Sequence, residues 1–189
     1  MATIKYKVRL FSEWHCSSGL SEGSGSDLLV IKDEFQLPYI PGKTLKGLIR
    51  DSAEMLRELE SLSSDTFLDR VFGREAESQG SCHFSNAELS HSTKQGIRKL
   101  HADNRTSLAE YLYRTKASTA IDKNGVAVAH SLRKIESVIP LSLTASIDGV
   151  SDSDVEDIVK CIRLVKRIGL SRNRGFGRCD MIVMEGGVE

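Results

Sequence analysis

Along the first ten residues, Ile4, Tyr6, Val8 and Leu10 alternate with Lys5, Lys7 and Arg9, the period-two pattern of a strand with one buried face. Residues 12–27 are rich in Ser and Gly and centre on SSGLSEGSGSD, which predicts a loop with approachable backbone amides. A short extended piece, LLVIKD, follows. In PYIPGKTLKGLIR the prolines and Gly42 then end extended structure, and Leu45, Leu48, Ile49, Leu56 and Leu59 recur at helical spacing. That spacing predicts a first helix over residues 43–59.

Residues 81–89 form a weaker strand candidate, and a stronger one runs where Leu141, Leu143, Ala145 and Ile147 alternate with Ser142, Thr144 and Ser146. Val155, Ile158, Val159, Ile162, Val165 and Ile168 make the apolar stripe of a second helix. Ser153 and Glu156 have capping-box spacing at its start, and Gly169 suits its stop. Cys179, Met181 and Val183, alternating with Asp180 and Ile182, predict the closing strand.

The order strand, helix, strand, strand, helix, strand predicts an α+β fold: a ferredoxin-like (RRM-like) βαββαβ core with both helices on one face, carrying long insertions. One domain is expected over residues 1–189, with its core at about 3–61, 81–90 and 137–184 and an insertion at about 91–136. That insertion is polar and basic (TKQGIRKLHADNR, then DKNGVAVAHSLRK), and insertions this long are usually functional or disordered.

Composition adds limits. A chain of 189 residues, 40% hydrophobic and 28% charged, can bury a real core, and no apolar run approaches the ~18 residues needed to cross a bilayer. The alternating N-terminus lacks the apolar run of a signal peptide, so a cytoplasmic protein is expected. Cys16, Cys82, Cys161 and Cys179 are widely spaced without a CxxC pair, which predicts reduced thiols and neither a disulfide framework nor a structural zinc site. Net charge is zero, but its distribution is uneven. Between Lys160 and Asp180 seven Lys or Arg stand against one acid, and from Asp148 to Asp157 five acids stand against no base. Such segregation can give a neutral protein a basic face, or simply a solvated helix.

Five ordered segments resemble the RAMP superfamily, in particular the backbone subunits of type III CRISPR effector complexes. PYIPGKTLKGLIR (38–50) resembles the family's PxIPGSSLKGxxR start of the first helix, with Lys43 and Thr44 in place of two serines. VFGREAESQGSCHFSNAEL (71–89) resembles its FG turn and a strand ending in FSDA, with Asn86 for the usual Asp. TAIDKNGVAVAHSLRKIESVIPLSL (119–143) resembles the protruding thumb and a Glu-x-Val strand, IGLSRNRGFGRCDM (168–181) the C-terminal glycine-rich loop and last strand, and SDLLVIKD (26–33) a DSxVIKD stretch.

The resemblance implies a guide-RNA-binding backbone subunit of an antiviral RNA-guided complex. Its partners would be the CRISPR guide RNA, target RNA and other effector subunits, copies of itself among them, and no membrane. It also implies that Asp27 is the loop aspartate of a metal-dependent endoribonuclease acting on paired target RNA, with Mg²⁺ or another divalent cation as cofactor. Two alternatives stay open: a subunit that binds guide RNA and cuts nothing, and a precursor-processing endoribonuclease using His15, a class that usually carries two such domains. An RRM-like regulator is a fourth reading, but the aromatic strand that stacks bases in RRMs is absent.

The residues themselves are compatible with RNA binding. In RNRGFGR, Gly175 and Gly177 would let main chain approach a phosphate while Arg172, Arg174 and Arg178 add charge and planar donors; a tight turn with solvated arginines is the plain alternative. In GKTLKG, helix-start amides with Lys43, Thr44 and Lys46 form a candidate anion site, and Arg50 and the thumb's Arg133 complete the expected RNA contacts. An ordinary Pro-Gly helix start is the plain alternative there. His15 is either a proton-transfer group or a packed, hydrogen-bonded histidine. Cys82, His83 and His91 lack ligand spacing. Trp14 and Phe176 either stack on a base or belong to the core. The 117–136 segment, with its Asn124-Gly125 turn signal and the alternation of Val126 and Val128, predicts a projecting hairpin-like thumb.

Overall fold

A computed structural model describes residues 1–19, 27–64, 66–74, 78–103 and 108–188. The centre of the Ser/Gly loop, residues 20–26, therefore lies outside the described residues, as does part of the polar insertion, residues 104–107.

The alternation at the N-terminus becomes β1 (Ala2–Leu10), buried at every second position. A long connection leads to α1 (Gly42–Glu58), which buries Leu45, Ile49, Ser52 and Ala53 and agrees with the predicted helix to within a residue at each end. A six-residue helix α2 (Phe67–Phe72) follows, then β2 (Gly73–Arg74) paired antiparallel with β3 (Ser78–Gln79), and then β4 (His83–Phe84). Only these two residues of the predicted 81–89 strand form a continuous ladder with its neighbour; beyond them Ala87 makes an isolated bridge to Ile40 and Glu88 one to Thr144.

The insertion is more ordered than its composition suggests. It holds α3 (His91–Asp103), a 3₁₀ turn at Leu108–Leu112, and a two-stranded hairpin of β5 (Tyr113–Ser118) and β6 (Arg133–Val138). Then come β7 (Ser142–Val150), α4 (Val155–Leu164) and β8 (Cys179–Val188).

The main sheet has the order β4-β7-β1-β8, and every pair is antiparallel. α1 packs on α4, α4 on β8 and α1 on β4. Their buried faces join Ile4, Tyr6, Val8, Leu143, Ile147 and Met181 in one core, so the opposite face of β1 carries Lys5, Lys7 and Arg9 outward. No helix among the described residues is long and apolar enough to cross a membrane. All four cysteines are free and buried, and burial pushes the Cys16, Cys161 and Cys179 thiols up to about 12.

The predicted capping box does not form. A 3₁₀ turn at Asp152–Asp154 precedes α4, Asp154 takes the N-cap position, and no side chain caps the helix. The acidic run is instead spent on internal bonds. Buried Asp154 accepts from Arg70 Nε at 2.8 Å, while buried Asp157 accepts from the Ser63 amide and hydroxyl at 2.8 and 2.5 Å and from Lys160. Helical structure stops at Leu164, before the predicted end, yet Val165 and Ile168 stay buried in extended chain.

Candidate nucleic-acid interface

Residues 165–178 make a tight excursion between α4 and β8, and they are stapled to the chain that follows β1. The Leu170 amide donates to His15 O at 2.9 Å, the Gly177 amide to Glu13 O at 2.8 Å and the Ile168 amide to Gly177 O at 2.9 Å. Gly169 has φ +84° and a Cβ there would collide with His15 O; Gly177 has φ +64° and a Cβ would collide with Ile168 O. Both positions thus require glycine for close main-chain packing. Gly177 is buried, so its role is this packing rather than the approach to a phosphate that the sequence suggested. Gly175 is exposed with open space around it. Between the glycines, Arg172–Arg174 forms a 3₁₀ turn that presents three exposed side chains.

Across from this turn stands the β5–β6 hairpin, which Glu136 ties to the chain after β1. Its Oε2 accepts from the Val30 amide at 3.0 Å, its Oε1 from Lys32 Nζ at 2.8 Å, and its carbonyl from His15 Nδ1 at 2.6 Å. Lys32 Nζ also sits 4.0 Å from the centroid of the Tyr113 ring. Upstream, Asp27 and Lys134 clasp each other: the Asp27 amide donates to Lys134 O at 2.8 Å and Asp27 Oδ2 accepts from the Lys134 amide at 2.7 Å. On the far side of β6, the Ser137 hydroxyl donates to Glu13 at 2.7 Å and Lys116 lies 3.0 Å from the same carboxylate. Burial raises the Glu13 pKa, but these two partners and Arg114 more than offset it and hold the group below the usual carboxylate range.

These elements enclose three adjoining clefts that share Leu170. The largest, about 670 Å³, lies between the hairpin and the glycine-rich turn and is lined by Arg133, Arg172, Asn173 and Arg174. A second, about 310 Å³, runs from Gly169 and Leu170 to the start of α1 and is lined by Lys43 and Thr44. A third, about 160 Å³, opens beside Phe176. His15 borders the second and third. The two loops singled out in the sequence therefore face one groove, together with Arg133 of the hairpin.

Other predicted residues lie apart from it. Arg50 pairs with Glu54 at 3.1 Å, and Lys46, on the same side of α1, lies within electrostatic reach of Cys82. Arg178 is exposed and borders none of the three clefts; its main chain bonds Ser12 and Phe11. The helix-start amides are mostly used within the protein: Gly42 donates to Asn86 Oδ1 at 2.9 Å, and Thr44 and Leu45 donate to Pro41 O. The Lys43 and Thr44 side chains, rather than the helix-start amides, are what this end of α1 turns toward the cleft.

Trp14 belongs to the core, as does the fully buried His15, which is packed and hydrogen-bonded. Phe176 is half-buried beside the groove. Among the described residues no three His, Cys, Asp or Glu side chains lie together as a metal site, Cys82, His83 and His91 included. Asp27 is exposed next to Leu28, which lines the large cleft, and brings a single carboxylate. That donor set does not fit a resident divalent ion. Sequence reasoning missed Lys116 beside Glu13 and the clamp of Glu136 on Val30 and Lys32, because pairings over about a hundred residues leave no local pattern, and it passed over Asn173, which lines the large cleft between two arginines of the loop it singled out.

Compared with known proteins, residues 7–180 match the RAMP superfamily. No curated protein matches the chain in sequence. Among solved structures, a chain of the type III-B Cmr-beta complex bound to cognate target RNA superposes with a TM-score of 0.72 at 13% identity, covering 97% of this chain and 98% of that one. A chain of the same complex in its apo state gives 0.70 at 13% identity, with 97% of each chain covered.

Proposed function

Because the chain belongs to the RAMP superfamily, we propose that it is a backbone subunit of a type III CRISPR effector complex that holds guide RNA by its sugar-phosphate chain. In this reading the sheet order β4-β7-β1-β8 with α1 and α4 on one face is a ferredoxin-like core, and the β5–β6 hairpin is the thumb.

The observation that carries the reading is the groove. Arg133, Arg172 and Arg174 line one cleft, Lys43 and Thr44 line the next, and Gly169 and Leu170 border both. A row of cations without a built-in base-reading edge suits a phosphate chain of any sequence. The test is recovery of the protein from cells carrying a CRISPR array. A co-purifying small RNA of defined length with repeat-derived sequence is the expected result, and its absence from the assembled complex would overturn the proposal.

Asp27 favours a second reading, cleavage of paired target RNA. Its exposed carboxylate accepts from the Lys134 amide, and the next residue, Leu28, lines the large cleft, so presenting it to a strand there needs no change of fold. Any Mg²⁺ would take its other ligands from RNA and water. In reconstituted complexes with guide, target and Mg²⁺, Asp27→Ala is expected to bind target as the wild type does and to lose cleavage. Uncleaved target with the wild type would leave the purely architectural subunit.

A further inference from the structure

Before α1 the chain runs beside β6 in the manner of a short parallel strand. The Asp27 amide donates to Lys134 O at 2.8 Å, the Glu136 amide donates to Leu28 O at 3.0 Å, and Leu28 and Ile135 form a parallel bridge. Lys134 stands opposite Ala117 of β5, yet both its main-chain groups turn the other way, to Asp27. It thus occupies a non-hydrogen-bonded position of the β5–β6 ladder. Its N–H finds a side chain where a ladder would supply a carbonyl: the acceptor is Asp27 Oδ2, at 2.7 Å.

A hydrogen bond to a carboxylate is stronger than one to a neutral carbonyl, and here it closes a pair, since the same two residues are already joined through the Asp27 amide. The main chain and the side chain of Asp27 are therefore both fixed on β6, although the residue is exposed. Oδ2 is engaged, while Oδ1 has no hydrogen bond or ion pair among the described residues. Leu28, which follows Asp27, and Arg133, which precedes Lys134, both line the large cleft with Arg172 and Arg174. In such company a carboxylate without a fixed donor would turn to a guanidinium. The Lys134 amide gives it another place.

We infer that the main-chain N–H of Lys134 is a positioning group for Asp27, holding its carboxylate in the geometry that cleavage of a target strand in the groove requires. The Lys134 side chain takes no part. The inference rests on the cleavage reading of Asp27 above. A bond that only finished the end of a strand would matter to stability alone and would leave the rate on bound target unchanged.

Two variants delete the donor. Lys134→Pro removes an N–H that does not face β5, a place where a strand tolerates proline. The backbone ester made by placing the α-hydroxy analogue of lysine at position 134 removes the same N–H, keeps the side chain and imposes no ring. In the reconstituted complexes used for Asp27→Ala, target affinity and single-turnover cleavage are measured separately. Both variants are expected to bind target as the wild type does and to cleave it roughly 100-fold more slowly, the loss that a ~1 Å misplacement produces. Hydrogen exchange in the free chain reads the bond without catalysis: the Lys134 amide is expected to exchange slowly in the wild type and faster in Asp27→Ala. A wild-type cleavage rate in the ester variant, or an exchange rate indifferent to Asp27→Ala, overturns the positioning role and leaves the cleavage reading standing; the ester decides the matter where Lys134→Pro fails to fold. A wild type that cleaves nothing, or an Asp27→Ala that cleaves normally, overturns both.

Discussion

Glu136 does different work with its two ends. Its carboxylate satisfies the Val30 amide and Lys32, and its carbonyl orients His15, so one residue fixes the segment after β1 against the hairpin. The Glu136 and Lys32 side chains are only 12% and 23% exposed. Removing one partner of such a pair leaves the other desolvated and costs about 2–3 kcal/mol. Glu136→Ala should lower the urea midpoint accordingly with an unchanged m-value, and Glu136→Gln, which keeps an acceptor for Val30, should cost less. Asp157 offers a pH-dependent counterpart. Burial raises its pKa, but the Ser63 hydroxyl and amide and Lys160 outweigh that and hold it below the usual carboxylate range. With the folded pKa below the unfolded one, its stabilisation is complete above the ordinary carboxylate range and is lost as pH falls through the folded pKa. Asp157→Asn should therefore be less stable than wild type at pH 7 and should lose less of its remaining stability on acidification; parallel acid limbs in denaturation series at several pH values would contradict this.

Among the elements, β1, β7, β8, α1 and α4 were legible because each buries one face, so hydrophobic spacing reports directly on structure. The β5 strand was not, since all of it beyond Tyr113 is exposed and no alternation marks it. Of the described α3 side chains, Ile97 is the one that packs against the core, too little to mark a stripe. The Asn124-Gly125 signal did identify a real reversal: Gly125 donates to Asp122 O and Val128 to Ala120 O within the hairpin tip. The tip exposes Ile121, Val126, Val128 and Leu132 and bonds chiefly to itself, so the fold is expected not to depend on it. Replacing residues 119–132 by Asn-Gly would join the paired Ser118 and Arg133 through a two-residue turn suited to a hairpin. The shortened protein should keep its melting temperature within a few degrees and fail to assemble on guide RNA. Loss of the folded state, seen by circular dichroism, would place the tip in the core.

At the level of the whole molecule, a formal charge of zero and a groove built from cations are reconciled by where the acids go. Asp154 and Asp157 are buried against Arg70, Ser63 and Lys160, Asp152 lies 3.8 Å from the N-terminal amine, and Asp180 pairs with Lys166. Arg133, Arg172 and Arg174 are left exposed around a single cleft. Their attraction for RNA should thus be a local counterion-release effect with little help from the long-range field that a strongly basic protein would add. The triple substitution of Arg133, Arg172 and Arg174 by Ala should weaken binding equally for unrelated single strands. It should also flatten the plot of log affinity against log salt by roughly 0.7 for each phosphate that the protein no longer neutralises, about 2 in all. Arg178→Ala, outside the clefts, is the matched control and should leave the slope nearly unchanged. A slope that is the same in the triple variant and the wild type would mean that the strand runs elsewhere, and the outward face of β1 with Lys5, Lys7 and Arg9 would be the next surface to test.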